Sequence, residues 1–143
     1  MINTECGIFG IIGISEIPSS VCFDGLGDLQ HRGRESFGVS WSAASGEILC
    51  EKAFGEVFNL KPTTSSLSWL GHVRYSTSGD SDIRKTQPIL ETTGKWALAH
   101  NGNIPSIKWE NVIFDNTHSD TQKLVVLIEH LIEEGMSLEK ILE

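Results

Sequence analysis

Cys6 stands directly before Gly7 and the apolar run Ile8-Phe9-Gly10-Ile11-Ile12-Gly13. A cysteine in that setting is ordinarily a small buried core residue. Its place in the chain offers a second reading, because only the stretch Met1-Ile2-Asn3-Thr4-Glu5 precedes it. One cleavage after Glu5 would make Cys6 the terminal residue. It would then carry a thiol nucleophile and a free α-amine, a group that titrates near ~8 and can serve as the base for its own side chain.

Three further stretches hold side chains that acyl transfer could use. Gly71-His72-Val73-Arg74-Tyr75-Ser76-Thr77-Ser78-Gly79 reads as a strand ending in an arginine. An arginine there is most often solvated, but its guanidinium fork also fits a small carboxylate. Ala97-Leu98-Ala99-His100-Asn101-Gly102-Asn103 ends a second strand in Asn-Gly. That dipeptide is the common hairpin turn, and it can also aim a side-chain amide and a backbone N–H at one point, as an oxyanion hole requires. His118-Ser119-Asp120-Thr121 opens a helix, where Asp120 suits the macrodipole or could meet a ligand ammonium. A fourth block, Leu29-Gln30-His31-Arg32-Gly33-Arg34-Glu35-Ser36, has the residue types of a glycine-terminated helix end.

The elements that must position these residues read as follows. Residues 6–13 form a buried strand, and Pro18 begins a helix running to Gln30 with Cys22, Gly25, Leu26 and Leu29 on one face. Gly25 and Gly27 weaken that helix, which predicts tight packing against a sheet. Residues 37–41 and 47–52 make a hairpin, and strands follow at 70–75, 87–91 and 95–100. Ser119 and Gln122 have capping-box spacing, with an apolar stripe of Leu124, Leu127, Ile128, Leu131 and Ile132 before Gly135. Ser137 opens a last helix. Hairpins with helices around them point to an α+β fold.

Composition bounds the function. At 143 residues the chain is expected to be one domain at most. A net charge of −8 leaves no basic footprint for nucleic acid or an anionic membrane, and no window of the sequence is apolar enough to span one. Cys6, Cys22 and Cys50 lack the spacing of a disulfide framework or a zinc site, so free thiols, no metal and a cytoplasmic setting are expected.

Taken together and in order, CGIFGI, LQHRGRES, GHVRYSTSG, QP, ALAHNGN and SD resemble the N-terminal glutaminase domain of the amidophosphoribosyltransferase family, a class II glutamine amidotransferase with an N-terminal nucleophile. The resemblance runs from Cys6 to about Leu131. It implies a four-layer αββα sandwich and a reaction that splits glutamine into glutamate and ammonia for purine-pathway phosphoribosylamine synthesis. It also implies roles: Cys6 as nucleophile, Asn101 and Gly102 at the oxyanion, Arg74 on the glutamine α-carboxylate and Asp120 on its α-ammonium. Thr77 and the Tyr75 backbone would line the pocket, and Arg32 and Gly33 would brace the terminal cysteine. No cofactor is implied for this domain.

Against the family pattern, residues 1–5 read as a leader, and residues 6–143 as a partial glutaminase domain without the phosphoribosyltransferase domain. The stretch from Gly102 to Ser119 is shorter than usual and lacks a helix. The sandwich is expected to be truncated on its C-terminal side, to be completed by a second copy or by a separate synthase chain. Two function classes follow: a glutaminase, or a non-catalytic glutamine-binding or regulatory module built on the same domain.

Overall fold

The computed structural model describes residues 5–59, 63–75 and 82–142. The chain divides into two compact units, Met1–Gly102 and Asn103–Glu143. The first unit holds β1 (Gly7–Pro18), α1 (Ser19–Asp28), β2 (Ser36–Ser42), β3 (Ile48–Phe54), β4 (Ser65–Arg74), β5 (Ile89–Leu90) and β6 (Ala97–Leu98). The second holds α2 (Asp120–Glu133) and α3 (Leu138–Leu142). The fold class is α+β, as the hairpin pattern predicts.

β1 to β4 form one antiparallel sheet in the order β1-β4-β2-β3. Its register aligns Phe9 with Gly71 and Gly71 with Val39, so these residues share one face. α1 lies on that face. Leu26 seats over Gly71, and Gly25 lies so close to the Phe9 ring that a Cβ there would come within 2.3 Å of it. The glycines that weaken the helix are thus what let it approach the sheet. Cys22, Phe23, Leu26, Phe37, Val39, Trp41, Trp69 and Val73 make the core between the two layers. Trp41 stacks on Trp69 with ring centroids 5.5 Å apart.

β2 reads in sequence as a half-buried strand, yet Ser36, Gly38 and Ser40 are buried too. The segment before β5 covers this second face. The Ser36 and Thr86 hydroxyls meet at 2.7 Å, the Gln87 carbonyl lies against Gly38, and Cys50 donates to the Pro88 carbonyl at 3.6 Å. The unit is therefore layered as α1, the four-stranded sheet, and the β5–β6 ribbon. The strands expected at 87–91 and 95–100 are two residues each. The Glu91 carboxylate gathers Thr93 N, Thr93 Oγ1 and Lys95 N into the turn that joins them. At the far ends the Gln87 and Pro88 carbonyls face Gly38 and Cys50, while His100 N goes to Gln87 Oε1.

Two helix boundaries differ from expectation. Pro18 ends β1 and caps α1 in extended geometry rather than sitting in its first turn, and α1 stops at Asp28. A 3₁₀ turn, Gln30–Arg32, follows, tied back by Arg32 N to Leu29 O and Gly33 N to Gln30 O. In the second unit the capping box forms: Ser119 Oγ accepts from Gln122 N, and Gln122 Oε1 accepts from Ser119 N. The buried stripe of α2 is Thr121, Val125, Ile128 and Leu131, while Ile132 is exposed. Apolar residues cover so much of this helix that periodicity alone did not select the inward subset.

His72, on the second face of β4, is fully buried, and neither ring nitrogen has a hydrogen-bond partner among the described residues. Burial, aided by the charges of Arg74, His100 and Lys52, pushes its imidazole down to about 4 from the ordinary 6.5. Above pH 6.5 the ring is neutral in both the folded and the unfolded chain, so its full contribution is present. As pH falls from 6.5 towards 4 the unfolded chain takes up the proton first and stability drops, by about 3 kcal/mol in all. Urea midpoints followed from pH 7 to pH 4.5 should show this loss, and His72→Asn should flatten it. An equal slope in that variant would contradict the assignment.

Candidate active site

Cys6 lies just before β1 and is half-buried. Register fixes its neighbours, because Gly7 pairs with Val73 and so brings the end of β4 alongside. Tyr75 N donates to Cys6 Sγ at 3.4 Å, and the thiol lies 3.7 Å from the Tyr75 carbonyl. Two donors hold the Cys6 carbonyl: Arg32 Nε at 3.0 Å and Asn101 Nδ2 at 2.8 Å. Arg32 also reaches back through Nη2 to the Glu5 carboxylate at 3.2 Å. Residues 26 and 95 positions away in sequence thus meet on one peptide group.

The loop that carries Arg32 is held from inside. The buried Gln30 side chain donates to Gly33 O at 2.6 Å and accepts from Val57 N at 2.7 Å. Gly33 passes the backbone of Arg74 and Tyr75, where a Cβ would stand 2.5 Å from the Arg74 carbonyl carbon. Gly33→Ala is therefore expected to cost about 1–3 kcal/mol and to shift the Tyr75 amide away from the thiol. Chemical denaturation measures the first effect, and slower alkylation of Cys6 the second.

Arg74 is not solvated. Its side chain is 14% exposed, and Nη1 binds Glu35 Oε1 at 2.6 Å. Asn101 and Gly102 do not form a hairpin, since no strand follows β6 among the described residues. A Cβ on Gly102 would come within 2.8 Å of His100 Nε2, so the His100 ring packs under this dipeptide. His100 N is in turn fixed by Gln87 Oε1 at 2.6 Å.

Of the expected site residues, Arg32, Tyr75 and Asn101 bond to Cys6, Gly33 lies against the Arg74–Tyr75 backbone, and Gly102 follows Asn101 directly, while the Arg74 side chain turns to Glu35. Thr77 lies outside the described residues. Asp120 begins α2 in the second unit, where its carboxylate accepts from Ile104 N at 3.0 Å and Thr121 N at 2.8 Å. Sequence reasoning missed Glu35 and His100 as partners of the site. Both lie within the blocks LQHRGRES and ALAHNGN, so position flagged them, but their contacts are made across the fold.

The other two thiols are unlike Cys6. Cys22 is fully buried and burial pushes it up to about 12. Cys50 is raised as well, first by burial, with Lys52 opposing. Among the described residues no group of three or more His, Cys, Asp or Glu side chains is arranged to hold a metal ion, and no helix is long and apolar enough to cross a membrane.

No protein-family model matches the chain. It is 36% identical over 146 residues to the amidophosphoribosyltransferase of Bacillus subtilis (strain 168), an alignment covering 90% of this chain and 29% of that protein. It is 34% identical over 146 residues to the amidophosphoribosyltransferase of Lacticaseibacillus casei, covering 92% of this chain and 74% of that one. The chain belongs to the amidophosphoribosyltransferase family. Its fold agrees: the glutamine phosphoribosylpyrophosphate (PRPP) amidotransferase from B. subtilis, solved with ADP and GMP, superposes with a TM-score of 0.66 at 28% identity, over 85% of this chain and 29% of that one. The chain therefore spans less than a third of the B. subtilis amidophosphoribosyltransferase.

Proposed function

We propose that this chain is a glutaminase domain that hydrolyses glutamine at Cys6 and delivers ammonia for phosphoribosylamine synthesis. The observation that carries the reading is the convergence of Arg32, Tyr75 and Asn101 on Cys6, from three separate parts of the sequence. In this reading residues 1–5 are a leader whose removal frees the Cys6 α-amine, and residues 6–143 form part of the glutaminase domain.

Cys6 Sγ attacks the side-chain carbonyl carbon of glutamine, forming a C–S bond as the carbonyl electrons move to oxygen. The thiol proton goes to the α-amine. Asn101 Nδ2, which has a second N–H beside the one on the Cys6 carbonyl, and the Gly102 amide stabilise the oxyanion. Collapse breaks the C–N bond, and ammonia leaves with the proton returned by the α-ammonium. Water then adds to the thioester, the C–S bond breaks, and glutamate and the free thiol result. Arg74 holds the glutamine α-carboxylate, Asp120 its α-ammonium, and Thr77 and the Tyr75 backbone line the pocket.

The domain needs no cofactor of its own for this chemistry. The ammonia acceptor is PRPP, by analogy with the relative's name, on a phosphoribosyltransferase domain or chain that partners this one, and the setting is the cytoplasm. A second reading, a glutamine-binding module that does not turn over, draws on one contact. Arg32 grips the Glu5 side chain and the Cys6 carbonyl together, a clamp that would keep an uncleaved leader beside the thiol.

Intact mass and ammonia release from glutamine separate the two readings. Loss of Met1–Glu5 together with equimolar glutamate and ammonia is expected. A full-length mass with saturable glutamine binding and no ammonia would replace the first reading by the second.

A further inference from the structure

Arg74 already has a carboxylate against it. Glu35 Oε1 sits 2.6 Å from Arg74 Nη1, with the two side chains only 18% and 14% exposed. Among the described residues the contact uses one of the five guanidinium N–H groups and one carboxylate oxygen, so it is not the bidentate fork that closes an arginine edge. The Glu35 backbone is tied to the same residue, since Glu35 N donates to Arg74 O at 3.2 Å. Gly55 N in turn donates to Glu35 O at 2.8 Å, which anchors Glu35 to the end of β3. Glu35 is therefore held on both sides. It grips Arg74 at the main chain and at the tip of the side chain.

An arginine side chain has rotamer freedom that must be surrendered when it binds a ligand. A partner that fixes it beforehand removes that cost from the binding step. We infer that Glu35 is a positioning residue that aims the unoccupied edge of the Arg74 guanidinium at a small α-carboxylate, and so sets the preference for a free amino acid over one whose carboxylate is blocked. Glu35 itself does not touch the ligand. The inference rests on the proposed role of Arg74 as the carboxylate reader.

The test is calorimetric binding to the full chain of L-glutamine and of L-glutaminamide, whose α-carboxylate is replaced by an amide. Arg74→Ala should weaken glutamine binding far more than glutaminamide binding; unchanged glutamine binding would overturn the role of Arg74 and with it this inference. Given a loss in Arg74→Ala, Glu35→Ala is expected to weaken glutamine binding roughly tenfold with glutaminamide unaffected. Wild-type binding of both ligands by Glu35→Ala would overturn the positioning role while the role of Arg74 stands. Equal weakening of both ligands would overturn it too, by marking Glu35 as a support of the fold. Glu35→Gln keeps the shape and one acceptor oxygen, and is expected to lose roughly threefold for glutamine alone. An unchanged glutamine-to-glutaminamide ratio in Glu35→Gln overturns the inference even if the alanine variant does not fold.

Discussion

Cys6→Ala is expected to lower glutamine hydrolysis to below roughly one-thousandth of the wild-type rate, because the variant has no atom to form the thioester. Cys22→Ala and Cys50→Ala should keep the activity of the chain as long as they fold. The three thiols differ in physical setting. Cys22 is sealed in the core and raised to about 12, which leaves almost no thiolate at neutral pH. Cys50 is raised by its burial and points its S–H at the Pro88 carbonyl. Cys6 is half-buried, with the Tyr75 amide aimed at its sulfur. A diazo-ketone analogue of glutamine should add once, on Cys6, as read by peptide mass. Labelling of Cys22 or Cys50 instead, or turnover by Cys6→Ala, would refute the assignment.

Arg74→Ala is expected to weaken glutamine binding by about 2–5 kcal/mol, about thirtyfold to a few thousandfold, because a desolvated carboxylate would lose its counter-charge. Asp120→Asn is expected to weaken it through the ammonium end of the same ligand. Arg74→Lys should recover little, since an ammonium offers a point charge in place of a planar fork. Michaelis constants and direct calorimetry both read the effect. A Michaelis constant in Arg74→Ala equal to wild type would remove Arg74 from the substrate site. Far-ultraviolet dichroism controls for collapse, because Arg74 is the last residue of β4 and its loss leaves the Glu35 carboxylate without its partner.

Part of the candidate site's geometry is legible in the sequence. Cys6 is singled out by the glycine and apolar run that follow it, Asn101-Gly102 by the dipeptide itself, and Ser119-Gln122 by capping spacing that the structure reproduces. These are local signals, and local backbone chemistry is written in neighbouring residues. The β2–β3 hairpin was legible for the same reason, because two alternating runs joined by Ala43-Ala44-Ser45-Gly46 have few other ways to pair. Length and type of the weaker elements were not. β5 and β6 are two residues each because Gln87, Pro88 and His100 make contacts outside the ribbon, contacts that no periodicity encodes.

The residue types available for chemistry, the α+β class and the family are readable from the order of residues, because ordered motifs and hydrophobic spacing are one-dimensional properties. Which of those residues meet is set by packing. Asn101 and Arg32 reach one carbonyl, Glu35 takes Arg74 across the β2–β4 pairing, and His72 is left neutral in the covered second face of the sheet. Each of these depends on sheet register and on which face another segment covers. A one-residue slip would turn every side chain of a strand to the opposite face, so such contacts are properties of the packed chain and not of any stretch of it.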